Sequence, residues 1–136
     1  MAGIFPEQHP EDVLTVVATE PIKQFTFVDV QSGRVGTSAT QQLGIAQHDA
    51  LPSEAVTVAT GGLCAVRVQS GFNFADAGAA VAPRYKFSGT MAAQFVSPGT
   101  SGLAVAGTAG AFRLSQNEWA APPSATNPQL TNIVIF

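Results

Sequence analysis

Apolar and polar positions alternate in short runs along most of this chain, and glycine, proline and serine cut the runs at strand-like intervals. No stretch keeps a helical apolar period over three turns, so the pattern predicts strands joined by turns. Val13 to Ala18 is a β-prone run that ends near Pro21. Ile22 to Val30 alternates, with Phe25, Phe27 and Asp29 on one face and Gln24, Thr26, Val28 and Val30 on the other. Ser32-Gly33 reads as a turn, Leu43 to Ala46 as a short strand, and Asp49 to Glu54, with Pro52 and Ser53, as a second turn.

Ala55 to Thr60 and Leu63 to Gln69 flank Gly61-Gly62, which predicts a hairpin because two glycines accept the left-handed backbone of a two-residue turn. Val56 and Val58 share a face of the first arm. Cys64, Val66 and Val68 share a face of the second, with Arg67 and Gln69 opposite. Ala79 to Lys86 and Met91 to Val96 are further candidate strands, the first demoted to an edge or bulge by Pro83. Ser97-Pro98-Gly99 reads as a turn, Gly102 to Ala106 and Ala111 to Leu114 as weaker strands, and the alanines from Ala77 to Ala82 leave room for one short helix.

The predicted class is therefore all-β: a small barrel or sandwich of short antiparallel strands with extended N- and C-terminal arms. Residues 1–12, with Pro6 and Pro10, form the N-terminal arm, 13–119 the β domain, and 120–136 a C-terminal extended segment ending in a strand. Ile133, Val134, Ile135 and Phe136 make a β-prone apolar tetrad that needs a partner, either in its own sheet or in a neighbour's. Ile4 and Phe5 in the first arm, and Phe72 and Phe74 in GFNFADAG, are the other apolar residues in polar settings. The arm is either a frayed terminus or a docking element. The Phe72 loop either tucks over the core or meets a partner. These eight residues are the candidate protein-interface set.

Composition sharpens the picture. Only 11 % of the 136 residues are charged, against about 25 % in ordinary soluble domains. Small neutral groups must then cover much of the surface, and such a surface loses little when a partner desolvates it. The net charge of −3 and six scattered basic residues argue against direct nucleic-acid binding. Apolar runs are too short for a membrane span, and the first residues lack a signal-peptide pattern, which points to synthesis in a cytoplasm.

Candidate chemistry is sparse. Cys64 is the single cysteine and lies on the apolar face with Val66 and Val68, so a small core residue is the expected role and a nucleophile the alternative. His48 and Asp49 near Ser53 and Glu54 resemble catalytic material, but the expectation is a turn in which Asp49 accepts from backbone N–H groups. No metal-ligand spacing, no phosphate loop and hence no cofactor is expected. A carbohydrate-binding module would rely on Tyr85 and Trp119, the chain's one Tyr and one Trp.

Leu43-Gly44-Ile45-Ala46, Asp49-Ala50, Ser53-Glu54-Ala55-Val56-Thr57-Val58 and Gly61-Gly62-Leu63-Cys64-Ala65-Val66 together resemble the small capsid decoration, or cement, proteins of tailed phages. The likeness covers residues 43–68 best and 15–35 more loosely. It departs at Ser53, where glycine is more usual, and the segment after Trp119 has no counterpart. The resemblance implies a non-enzymatic, β-rich homotrimer on the outside of the virion. It would bind the major capsid protein and stabilise the expanded head, with no membrane or nucleic-acid partner. The alternative is another non-catalytic β-module, such as a tail or baseplate component or a carbohydrate-binding domain.

Overall fold

The computed structural model describes residues 9–38, 40–70, 84–85, 96–106 and 123–135. Among them the strands are β1 (His9–Val17), β2 (Phe27–Asp29), β3 (Arg34–Val35), β4 (Leu43–Ala46), β5 (Ala55–Ser70), β6 (Arg84–Tyr85), β7 (Val96–Pro98), β8 (Ala104–Ala106) and β9 (Gln129–Ile135). One 3-10 turn, Thr100–Gly102, precedes β8. All the strands belong to one sheet of order β3-β2-β4-β5-β8-β7, with β1 and β9 also on β5 and β6 on β9. Pairing is antiparallel except for β5 with β8 and β6 with β9. The class is all-β as expected, and among the described residues the paired strands close no ring, so the sheet is open, as in a sandwich, and not a closed barrel.

The predicted hairpin at Gly61-Gly62 is not formed. Residues 55–70 run as one strand: Gly62 takes a left-handed backbone (φ 90°) while Gly61, the first residue of the pair, does not, so neither of the favoured hairpin turns forms there. Ala59 pairs with Val13, and Gly61 pairs with the adjacent Asp12, so Thr60 is an extra, bulged residue. A bulge of this kind exchanges the two faces of the strand beyond it. Ala59 before the bulge therefore shares a buried cluster with Cys64, Val66 and Val68 after it, together with Phe27, Leu43, Ile45, Ala104 and Ile135. Val56 and Val58 point to the other face, into a second cluster with Ala18, Ile22, Val28, Ala46 and Ala50.

β5 is paired along both edges. Ala59 lies between Val13 and Ile45, and Gly62 between Pro10 and Ile135. Strand β1 thus follows one edge while β4 and then β9 take the other. The far half of β5 returns to the start of β2: the Arg67 N–H donates to the Phe25 carbonyl (2.8 Å) and the Arg67 Nε–H to the Gln24 carbonyl (2.8 Å).

The expected strand from Ile22 to Val30 shrinks to Phe27–Asp29. Phe25 has φ 63°, and the Thr26 N–H and hydroxyl both bond the Lys23 carbonyl. A tight turn interrupts the alternation there, leaving Ile22 as a lone bridge to Ala50. β4 has the bounds read from sequence. Strand β1 begins at His9, within the stretch expected to be the first arm. The second ends in an internal strand, with β9 held between β5 and β6. The expected strand at Ala111 to Leu114 and the alanines from Ala77 to Ala82 lie outside the described residues.

Two positions have steric consequences. Ser53 sits in the left-handed region (φ 76°) with its N–H on the Ala18 carbonyl (2.7 Å), which explains why glycine suits this place better. A Cβ on Gly44 would fall 2.0 Å from Val58 Cγ1, so the valine occupies the space glycine leaves. Ser53→Gly should raise unfolding stability by about 1 kcal/mol in a urea titration. In the same assay Gly44→Ala should cost about 1–3 kcal/mol, and adding Val58→Ala should recover part of the loss.

Candidate functional site

The polar residues that resembled catalytic material are committed to holding turns. The Thr57 N–H donates to His48 Nε2 (3.1 Å), so that nitrogen is the unprotonated one and Nδ1 donates to the Asp49 carbonyl (2.9 Å). Asp49 Oδ1 accepts the Gln24 N–H (2.8 Å), joining two loops 25 residues apart. Glu54 Oε1 accepts the Leu51 N–H (2.6 Å) and closes its own turn. Asp49 does accept a backbone N–H, but from a distant loop and not from its own.

Cys64 is completely buried in the first cluster, and burial pushes its thiol from 9.0 up to about 12. A thiol so placed remains protonated and shielded, a poor nucleophile. The hollow bounded by Pro21, Ile22, Lys23, Asp49, Ala50, Leu51 and Glu54 has a volume of about 200 Å³, below the roughly 300–1,000 Å³ of ordinary ligand pockets. Among the described residues no group of three His, Cys, Asp or Glu side chains is placed to hold a metal, and no helix is long and apolar enough to cross a membrane.

The expected interface set divides. Ile4, Phe5, Phe72, Phe74 and Phe136 lie outside the described residues, as does Trp119. Ile133 and Val134 stand opposite Cys64 and Leu63 in the β5 ladder, and Ile135 is buried in the first cluster. Ile135 is therefore a core residue of this sheet, and residues 133–135 have their strand partners in β5 and β6. Tyr85 stands in β6 beside β9.

The exposed apolar surface lies elsewhere. In β1, Val13 is 55 % exposed, Leu14 48 % and Val17 59 %, and only Val16 is half-buried, against the second cluster. Val13, Thr15 and Val17 share one face, with exposed Ala55 opposite Val17 in the register. The charges nearest this face are Asp12, in β1 itself, and Glu54, just before β5. The β-prone run from Val13 to Ala18 gives no sign in sequence that Val13, Leu14 and Val17 are exposed.

Compared with family models, curated proteins and solved structures, the chain matches none. What is defined is a class: a mostly antiparallel β body with an apolar outer strand.

Thiol reagent should leave Cys64 unmodified in the native protein at pH 8 and label it fully in denaturant. The unfolded thiol ionises above 9.0 whereas the folded one stays protonated to about 12. The unfolded chain therefore binds fewer protons in that window, and stability falls as pH rises through it. The slope attributable to Cys64 is about 1.4 kcal/mol per pH unit, and Cys64→Ala should remove it in urea titrations at pH 8 and 11.

Proposed function

We propose that this chain is a structural virion protein. It binds the outside of a phage head, contacts the major capsid protein, and stabilises the expanded capsid by bridging neighbouring capsid subunits. It is made in the host cytoplasm and acts at the capsid surface without catalysis or cofactor. The observation that carries this reading is the open apolar face of Val13, Val17 and Ala55 on a chain with 11 % charged residues. Exposed apolar patches on a soluble body mark surfaces that meet another protein. The likeness of residues 43–68 to phage decoration proteins directs that surface to a capsid. The commitment of His48, Asp49 and Glu54 to backbone bonds supports a binding role over an enzymatic one.

The mechanism is linkage. A protein that binds the expanded shell and not the unexpanded one stabilises the expanded form by RT ln(1 + [L]/Kd), about 2.7 kcal/mol per site at a hundredfold excess over Kd. Trimers, as the resemblance implies, would engage several subunits at once and gain avidity without further contacts.

Purified protein mixed with heads of the cognate phage should co-sediment with expanded heads, spare unexpanded ones, and raise the temperature at which expanded heads rupture. Val17→Asp should weaken this binding at least tenfold while Cys64 stays protected. Binding to neither form, or equally to both, overturns the proposal.

A further inference from the structure

The face of β1 is one surface; its free edge is another. Thr57 spends its carbonyl on the Gln47 N–H (2.8 Å) and its N–H on His48 Nε2, both on the side away from β1. The pair Thr15–Thr57 is therefore a non-hydrogen-bonded one, and the N–H and C=O of Thr15 point outward from the sheet. By alternation those of Val13 and Val17 do the same. Among the described residues β1 has no ladder partner except β5. This open run is bounded at both ends. Pro10 and the bulge around Glu11 blunt it at the start. At the other end the turn after β2 covers it, with the Thr19 N–H on the Gly33 carbonyl (2.9 Å) and the Thr19 hydroxyl on the Ser32 carbonyl (2.9 Å).

We infer that this edge pairs antiparallel with the same edge of a second copy, about a two-fold axis through Leu14. The charge pattern is compatible with a second copy and fixes its direction. Glu11 and Asp12 lie at one end of the strand and the rest of it is uncharged. Parallel pairing in register would set each acid against its own counterpart, a destabilising arrangement. Antiparallel pairing about Leu14 sets Glu11 opposite Val17, Asp12 opposite Val16 and Val13 opposite Thr15. The outward groups of Val13 and Thr15 then meet those of Thr15 and Val13, and Leu14 faces Leu14 in the close non-hydrogen-bonded position. The covered turn at Thr19 lies outside this window. Such a contact is isologous and joins copies in pairs. It would appear as dimers, or as hexamers if trimers also form.

Sedimentation of the full chain without capsids tests it. Wild-type protein should show a dimer or hexamer that dissociates on dilution. Thr15→Pro removes an outward N–H that β5 does not use, so it should weaken pairing at least tenfold while Cys64 stays shielded from thiol reagent. Leu14→Cys should form a disulfide-linked dimer under mild oxidation, and the buried Cys64 does not compete. Only monomers or lone trimers at high concentration, or a mass unchanged by Thr15→Pro, overturn the inference. Head binding is measured separately, so wild-type protein that binds heads but never pairs overturns this seam alone.

Discussion

Thr60 has no partner opposite it in β1, and the rest of the sheet is arranged around that mismatch. Side chains on a strand alternate, so a straight β5 would send Val56, Val58, Cys64, Val66 and Val68 to one side and leave the other with Leu63 and alanines as its apolar residues. The inserted residue exchanges the faces, and one strand feeds two apolar clusters. β4 and β2, each buried on both faces, fit between those clusters: Phe27 and Ile45 look to one, Val28 and Ala46 to the other. Arg67 then bonds the far half of β5 to the turn at Phe25, so the bend is tied to the strands it brings over.

Local pattern was enough to read β4, the turn at Ser32-Gly33 and the loop at Ser53, because each depends on residues close in sequence. It also placed Cys64, Val66 and Val68 on one buried face. The glycine pair misled for a physical reason: a hairpin and a bulged continuous strand share the same alternation on either side. Only the long-range partners of β5, Val13 before it and Ile135 after it, distinguish the two. Ile22 to Val30 was read too long because Phe25 adopts a left-handed backbone that its residue type does not announce.

Surface was harder to read than core. Ile135 of the terminal tetrad fills a core, and β1 carries apolar residues that face outward; hydrophobicity alone separates these cases poorly. What separates them is position in the sheet, since β9 lies between two strands and β1 beside one. The outward direction of the Thr15 backbone follows only from how Thr57 uses its own groups on the opposite side. The proposals for capsid binding and for pairing draw on separate parts of that strand, its face and its edge.

The ladder of β5 with β9 joins Gly62 to Ile135, the two ends being far apart in the chain. During synthesis a segment as apolar as residues 62–68 leaves the ribosome well before its partner at 129–135 exists. Until then its edge is exposed in the nascent chain, and closing so long a loop is slow. The interval between making β5 and making β9 is therefore the period in which the edge of this small sheet is most open to wrong pairing.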